Sequence, residues 1–202
     1  ADGTHLFSDS SLLGRIYVGP YLSHSKSYAY ALVGPVPQPD PCAATFSGSD
    51  SRRERAQGYV LGVLDTKSFR QRCKDAGYWS ELQRLYPLNP DAGCNLRPNE
   101  AELVRSEIHG AEVVGDSDAE LLTDYPSHMH IDLEPEMQGK GYGKCLVLHL
   151  LKALKQGGSC GVHLTMASSN DRAFRFYQDL GFEKVREDDF KQEWTLGLKL
   201  EA

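Results

Sequence analysis

The segment HIDLEPEMQGKGYGK, residues 130–144, decides the fold of this chain. A short apolar strand pattern runs into Pro135, passes through a glycine-rich turn and leads into an amphipathic helix pattern. Such a turn places backbone N–H groups at the start of a helix, where the helix dipole favours negative charge. Three glycines within five residues also remove the Cβ atoms that would keep a ligand away from the backbone. The segment therefore predicts a site for a phosphorylated ligand.

The glycine spacing excludes the two common phosphate-binding loops. A dinucleotide-binding loop requires G-x-G-x-x-G, but Lys144 or Leu146 stands at the third glycine, depending on which glycine begins the pattern. A P-loop requires a glycine five residues before its Gly-Lys pair and a serine or threonine after it. Gln138 and Cys145 occupy those two positions. The pattern that remains is Q-x-x-G-x-G, residues 138–143, between a strand and a helix.

A second motif, NDRAFRFYQDLGF, occupies residues 170–182. On a helix, Asn170, Ala173 and Tyr177 share one face, because three, four and seven residues correspond to one or two turns. That face presents an amide, a small side chain and a phenol in line. Taken alone, Asn170 is also typical of a helix N-cap, and Tyr177 is also typical of a buried core aromatic.

Together the two motifs resemble the GNAT superfamily of acetyl-CoA-dependent N-acetyltransferases. The resemblance rests on Q-x-x-G-x-G, followed by N-x-x-A-x-x-F-Y-x-x-x-G-F. It implies an α/β (α+β) GNAT fold, in which a mixed central sheet with flanking helices contains a splayed pair of parallel strands that forms the cofactor cleft. It further implies acetyl-CoA as the cofactor and direct attack by a primary amine on a small molecule or a peptide.

The resemblance also assigns roles to individual residues. The segment 138–144 holds the pyrophosphate, and the backbone N–H of Leu133 stabilises the oxyanion of the thioester. Asn170 contacts the pantetheine, Ala173 allows its close approach, and Tyr177 protonates the leaving thiolate. In the same resemblance, Lys140 and Lys144 add positive charge near the phosphates, although Lys144 is equally typical of a solvated helix position. The predicted cofactor-binding residues are Leu133, Gln138, Gly139, Lys140, Gly141, Tyr142, Gly143, Lys144, Asn170 and Ala173.

The sequence leaves the general base open. Strand alternation places His128, His130 and Asp132 on one face of the strand at 127–133, and Asp65 ends an earlier strand. We favour Asp132 or His130 over Asp65, although a β-bulge near the end of the strand would change which face meets the site. Ordered water takes the proton in many members of the superfamily, so the resemblance does not require a dedicated base. Family analogy and residue type place four further residues in the acceptor pocket: Tyr17, Tyr21, Asp65 and Trp79.

Composition narrows the classes of function. The 202 residues suit one domain, 1–202, and the net charge of −6 argues against nucleic acid as the main partner. That charge suits a cationic substrate and equally serves solubility alone.

No apolar run reaches the length of a membrane span, so no membrane partner is predicted. The five cysteines show no C-x-x-C spacing and no N-x-S/T sequon occurs, which favours the cytoplasm or nucleus and predicts neither a disulfide framework nor a metal site. The oligomeric state is left open.

Three further segments resemble the acetyltransferase-like C-terminal domain of O-GlcNAcase and its stand-alone bacterial relatives. They are LLGRIYVGPYL (12–22), GYVLGVLDT (58–66) and YPSHMHIDL (125–133). In the animal enzymes this domain is similar to a pseudo-acetyltransferase, because its cofactor-loop glycines are degraded. All of those glycines are present here, which favours acetyl-CoA binding. The alternative is a catalytically weak pseudo-acetyltransferase that serves as a protein-binding module.

The remaining patterns predict the order of elements. Strands at 27–33 and 58–65 form a hairpin around a proline-rich excursion at 34–57, and residues 111–125 serve mainly as a connection. The resemblance implies an N-terminal strand and helix, for which residues 1–9 are too short, so we expect this strand to be absent or replaced. The other predicted elements are helices at 66–75, 78–86, 100–108 (capped by Asn99), 141–156 and 170–180, and strands at 127–133, 161–166, 182–185 and 193–200.

Overall fold

The computed structural model of the chain describes residues 7–23, 27–35, 54–88, 97–110 and 118–200. These residues form one six-stranded sheet in the order β1-β2-β3-β4-β6-β5. The central pair β3 and β4 is parallel, whereas the other neighbouring strands are antiparallel. The strands are β1 (Tyr28–Pro35), β2 (Glu54–Val63), β3 (Ser127–Leu133), β4 (Gly161–Ala167), β5 (Glu183–Asp188) and β6 (Glu193–Lys199).

Helices lie on both faces of this sheet. The predicted helices at 66–75, 141–156 and 170–180 are confirmed, with ends that differ by at most two residues. The α-helices of the described residues are α1 (Leu12–Tyr17), α2 (Gly19–Ser23), α3 (Thr66–Asp75), α4 (Tyr78–Leu85), α5 (Pro98–Leu103), α6 (Asp118–Asp124), α7 (Tyr142–Gln156) and α8 (Asp171–Gln178).

The main core lies between the sheet and helices α7 and α8. The apolar face of α7 contributes Val147, Leu150 and Leu154, all of which have no exposed surface. A Cβ on Gly62 of β2 would stand 2.7 Å from a methyl carbon of Leu150, so this glycine allows α7 to lie close against the sheet. The apolar spacing of α7 thus fixes which face of the sheet it covers.

The opposite face carries two smaller cores. One joins Val63 of β2 to Phe69 and Cys73 of α3, and the other joins α1 and α4 to the segment that follows α5. The predicted helix at 100–108 is wrong in detail: it begins at Pro98 after Arg97 rather than after Asn99, and Val104–His109 is a π-helix. Proline fits the first helical position because its missing N–H has no acceptor there.

Two other predictions need correction. The second strand of the hairpin begins at Glu54, four residues before the predicted start, and pairs with β1 as far as Pro35. Residues 118–124, predicted as connection, form α6. The rest of the predicted excursion, 36–53, lies outside the described residues. In the described part of the N-terminal segment, 7–23, two short helices precede the sheet, and no strand occurs there.

The predicted splay of two parallel strands is confirmed. Strands β3 and β4 pair only at Ser127–Val162 and His128–His163, although both strands continue beyond these positions. The pairing of β3 with β2 has no register shift, so the bulge considered near the end of β3 does not occur there. A gap therefore opens in the middle of the sheet, at the carboxyl ends of β3 and β4.

Two neutral histidines mark the point where the strands separate. The hydroxyl of Thr66 donates to the carbonyl of Pro126 at 2.7 Å, so Nδ1 of His128, 2.8 Å away, donates to Thr66 Oγ1. Nδ1 of His163 lies 2.8 Å from the carbonyl of Tyr125 and donates to it. Burial is the largest cause that lowers the pKa of both histidines, so both imidazoles are neutral near pH 7.

We expect the free energy of unfolding to fall as the pH drops below about 6.5, because the unfolded histidines then take up protons that the folded ones resist. The contribution of these lowered pKa values is complete above the unfolded value and is lost as the pH falls toward the folded values. His163→Gln should flatten this decline, whereas replacement of the exposed His149 should not change its shape. Urea unfolding between about pH 7.5 and 5.5 measures both profiles, and a flat wild-type profile would contradict the expectation.

No helix in the described parts of the chain combines the length and the apolar character that a membrane span requires. The three cysteines within these parts, Cys73, Cys145 and Cys160, are free thiols. No three potential metal-ligating side chains gather among the same residues.

Candidate functional site

The glycine-rich turn has a backbone that requires glycine at two positions. Gly139 has φ of 74° and Gly141 has φ of 86°, both in the left-handed region. Gly143 is needed for a different reason: a Cβ there would stand 3.2 Å from Leu133 and 3.5 Å from Phe176. The turn therefore exposes bare backbone at 139–141 and packs tightly against β3 and α8 at 143.

Unpaired amides face outward from the start of α7. The first hydrogen bond of the helix runs from the N–H of Cys145 to the carbonyl of Gly141, at 3.1 Å. The amides of Tyr142, Gly143 and Lys144 therefore have no acceptor within the helix, as at any helix N-terminus. Anions bind at such positions because N–H groups and the helix dipole point toward them.

Gln138 has a different position from the one predicted. Its backbone N–H donates to the carbonyl of Pro135 at 3.2 Å, so this amide is already used within a 3₁₀ turn, Pro135–Met137. Its side-chain Nε2 donates to the carbonyl of Leu133 at 2.9 Å. Gln138 thus joins the end of β3 to the loop, and the outward-facing amides begin after it.

Basic side chains surround the loop, including one that the motif did not single out. Lys140 and Lys144 are exposed and form no ion pair within the described residues. The guanidinium of Arg172, in the first turn of α8, lies 3.7 Å from the point where a Cβ on Gly139 would stand. The spacing of the α8 motif does not require an arginine at 172, which is why the sequence alone did not indicate it.

Arg172→Gln is expected to weaken acetyl-CoA binding about three- to tenfold, because one guanidinium near the phosphates is lost. The loss should shrink at high salt, where a solvent-exposed charge is screened. Calorimetric titration at two ionic strengths measures both effects. Arg175→Gln, at an exposed position on the same helix, is the matched control. It should change neither the affinity for acetyl-CoA nor the dependence of that affinity on ionic strength. Equal effects of the two substitutions would remove Arg172 from the site.

Helix α8 shows that Asn170 and Tyr177 also have the structural roles considered from the sequence. The side chain of Asn170 caps the helix by accepting from the N–H of Ala173 at 3.0 Å, which leaves its amide NH₂ available. Tyr177 is 8% exposed and belongs to the main core. Burial raises the pKa of Tyr177 to about 12, and its hydroxyl has no hydrogen-bond partner among the described residues. Tyr177 is therefore a protonated donor at neutral pH.

His130 lies in an aromatic cluster on the face of the sheet opposite α7 and α8. Its ring stacks on Tyr17 of α1, with centroids 5.7 Å apart and planes 10° apart. Its Nε2 lies 3.2 Å from the hydroxyl of Tyr59 on β2. Burial lowers the pKa of His130, while the nearby Asp132 raises it, so the imidazole is neutral near pH 7 and can accept a proton.

The side chain of Asp132 already binds the backbone N–H of Leu133, which was predicted to stabilise the oxyanion. Its Oδ1 accepts from the backbone N–H of Leu133 at 2.9 Å. A thioester carbonyl at this amide must therefore displace the Asp132 carboxylate. Asp132 is exposed and faces Tyr59 across the β2–β3 pair, which leaves room for that movement.

The other candidates for base and acceptor pocket have structural partners. Asp65 caps α3, accepting from the N–H of Ser68 at 2.6 Å, and this bond is the largest cause that lowers its pKa. Tyr21 packs on Phe69, and the His128 ring contacts both. Trp79 packs against Tyr78 in the smaller cores. Of the predicted acceptor residues, the structure brings Tyr17 to His130, and the other three take part in capping or packing.

Sequence reasoning did not identify Tyr59, which holds His130. The signal was present, because Tyr59 alternates with the buried Val60 and stands on the strand paired with β3. What was missing was the register, which places Tyr59 opposite Asp132 and diagonal to His130. A strand pattern alone does not determine such a register.

Known proteins resemble this chain in sequence and in fold. A family model described as FR47-like protein, a GNAT-type family, matches residues 114–194, which contain both motifs. The crystal structure of SsHAT aligns over 96% of this chain and 83% of the SsHAT chain, with a TM-score of 0.69 and 28% sequence identity. The chain is therefore similar to the GNAT superfamily in sequence and in fold. The GNAT fold predicted from the two motifs is thereby confirmed.

Two groups of curated relatives extend the GNAT comparison. Protein O-GlcNAcase from Rattus norvegicus is 25% identical over 92% of this chain, and the chain spans only 18% of the length of that relative. Mycothiol acetyltransferase from Nocardiopsis dassonvillei is 40% identical over 52 residues, 26% of this chain and 16% of that protein. The predicted resemblance to a part of O-GlcNAcase is therefore confirmed over nearly the whole chain.

Proposed function

We propose that this GNAT-like chain transfers an acetyl group from acetyl-CoA to a primary amine by direct attack. The observation that carries the proposal is the glycine loop. Gly139 and Gly141 adopt left-handed conformations directly before the unpaired amides of α7, at the edge of the splayed cleft. A loop that had lost cofactor binding would have no need for these two glycines.

The loop binds the pyrophosphate of the cofactor, and the gap between the strands binds its pantetheine. Backbone amides at 139–144 hold the pyrophosphate, with Lys140, Lys144 and Arg172 near its charges. The pantetheine passes between β3 and β4, where the strands have separated and their backbone groups are free to bond to it. The NH₂ group of Asn170 and the small side chain of Ala173 border this path.

The reaction uses one group from each face of the sheet. His130 accepts a proton from the ammonium of the substrate, and the free amine then attacks the thioester carbonyl carbon. The C–S bond breaks, Tyr177 gives its proton to the departing thiolate, and the second proton that the attacking nitrogen loses restores the Tyr177 hydroxyl through solvent. The products are the acetamide and CoA with a free thiol, and the His130 proton passes to solvent.

The Asp132 carboxylate changes its partner when the cofactor binds. When the thioester carbonyl takes the N–H of Leu133, the carboxylate of Asp132 is released beside His130. A carboxylate in this position stabilises the imidazolium that forms when His130 takes the proton, in keeping with the upward effect of Asp132 on the His130 pKa. We therefore favour His130 as the base and Asp132 as its partner.

The second candidate is a binding module without turnover. It is favoured by the O-GlcNAcase match, which covers 92% of the chain. Such a module needs neither an accessible base nor a cofactor loop. For the first candidate, we further propose a small-molecule or peptide amine as the partner and a location in the cytoplasm or nucleus.

Release of the CoA thiol from acetyl-CoA in the presence of an amine panel tests the transfer. We expect amine-dependent release that His130→Gln lowers by about a hundredfold, with the rise of the rate with pH displaced or lost. Tyr59→Phe, which removes the hydroxyl at 3.2 Å from His130, should have a smaller effect. Thiol release that no amine accelerates would favour the binding module instead.

A further inference from the structure

The two edge strands of the sheet, β1 and β5, differ in how they are protected. Within the described residues each has one neighbouring strand, β2 for β1 and β6 for β5. The outer N–H and C=O groups of an edge strand can pair with a strand from another chain. Proteins blunt edges that stay in solvent with charged side chains, bulges or prolines. The sequence and regularity of an edge therefore indicate whether it is built to remain in solvent.

Strand β5 has two of these protective features. Its register with β6 shifts between Lys184 and Arg186, so the extra residue, Val185, belongs to the edge strand itself. A bulge in the edge strand increases its twist and interrupts the regular ladder of backbone groups. All the other residues of β5 are charged: Glu183, Lys184, Arg186, Glu187 and Asp188. The β5 edge is thus protected against pairing with another strand.

Strand β1 lacks both features. Its eight residues, YAYALVGP, include no charged residue, and its only proline is the last residue. The pairing of β1 with β2 also has a register shift, but the extra residue there is Gln57 of β2, so β1 has no bulge of its own. Ala29, Ala31 and Val33 are exposed on one face of the strand. The β1 edge is therefore regular, uncharged and bordered by small or apolar side chains.

The other face of β1 holds the strand in place. Tyr28 and Tyr30 pack against the main core. The ring of Tyr30 also meets the ring of His149 of α7 edge to face, with centroids 4.6 Å apart. A strand that is already ordered loses little conformational freedom when it pairs with another strand. The β1 edge is thus preorganised to accept one.

We propose that the chain forms a two-fold dimer in which β1 pairs antiparallel with β1 of a second copy. Around a two-fold axis the same strand meets itself, so the contact needs no second, complementary surface. The absence of charge on β1 favours a second copy as the partner, because two chains of net charge −6 repel each other unless they meet at a neutral surface. A cationic peptide would instead be selected by charged residues beside the edge, and β1 has none.

The dimer joins two six-stranded sheets into one continuous sheet. Ala29, Ala31 and Val33 of the two copies then lie side by side on the same face as cross-strand neighbours. The contact is separated from the gap between β3 and β4 by β2 and β3. The inference therefore goes beyond the proposed acetyl transfer and does not depend on it.

Sedimentation velocity over chain concentrations of about 1 to 100 µM tests the dimer. We expect a reversible dimer with twice the mass of one chain. Ala31→Lys places a charge in the middle of the edge and should weaken dimerisation at least about tenfold. Leu85→Lys is the matched control, because it adds the same charge to an exposed apolar residue at the end of α4, and it should dimerise like the wild-type chain. Cooperative thermal unfolding shows that both variants fold.

Hydrogen exchange of the wild-type chain gives a second readout that needs no variant. We expect the outward amides of β1 to become protected as the chain concentration rises, while the amides of β5 do not change. A wild-type chain that stays monomeric, or a dimer that Ala31→Lys leaves unchanged, would overturn the proposal. Protection of β1 at every concentration in a monomer would also overturn it, because another part of the chain would then cover this edge.

Discussion

Tyr177→Phe is expected to lower the turnover number of acetyl transfer by at least about a hundredfold while leaving acetyl-CoA affinity unchanged. A positioned general acid contributes roughly this much, and phenylalanine cannot donate a proton to the leaving thiolate. The hydroxyl of Tyr177 has no hydrogen-bond partner among the described residues, so its removal should not destabilise the fold. The measurement is steady-state kinetics with calorimetric affinity and thermal unfolding on the same samples.

Two outcomes separate a catalytic from a packing role for Tyr177. Tyr30→Phe is the control, because Tyr30 of β1 packs against the same core as Tyr177 and lies in neither motif. We expect this variant to retain its turnover. An unchanged turnover number in Tyr177→Phe would show that another group protonates the thiolate, and that Tyr177 serves only the core.

Gly141→Asp is expected to weaken acetyl-CoA binding by at least about a hundredfold. A carboxylate at this position lies against the pyrophosphate, and a desolvated pair of like charges costs several kcal/mol. The left-handed backbone at φ of 86° adds strain for any residue with a Cβ, although Asp tolerates it better than most. Calorimetric titration of acetyl-CoA measures the loss of affinity.

The chain supplies matched controls for this substitution. Gly158 follows the other end of α7 with φ of 90°, and, as at Gly141, a Cβ there meets no atom within 4 Å. Gly158→Asp therefore imposes similar strain without reaching the phosphates and should retain binding. Gly141→Asn keeps the shape of the side chain without its charge and should have an intermediate affinity. Loss of binding in Gly158→Asp as well would attribute the effect to stability.

The sequence predicted the glycine loop, α7 and α8 well because local signals determine them. The glycines of the 138–143 loop, the cap at Asn170 and the apolar stripe of α7 each act within a few residues. The splay of β3 and β4 followed from the resemblance rather than from any pattern, since a strand pattern does not state where pairing stops. Only the order of the two motifs carried that information.

The surroundings of His130 were harder to predict because long-range contacts build them. Tyr17, Tyr59 and His130 come from three distant elements and meet only after the sheet has formed. The π-helix Val104–His109 replaced the end of a predicted α-helix, and its hydrogen-bond pattern has no simple sequence signal. Asp65 and Trp79 have the residue types expected in a pocket, yet capping and packing explain their positions.

The most direct test of the account is a calorimetric titration of the wild-type chain with acetyl-CoA. The central claim is that the intact glycine loop of this GNAT-like protein holds the cofactor, which separates it from a fold that has lost cofactor binding. We predict one site per chain with a dissociation constant in the micromolar range, and near-complete loss of the signal in Gly141→Asp. Absence of binding by the wild-type chain at millimolar acetyl-CoA would contradict the claim.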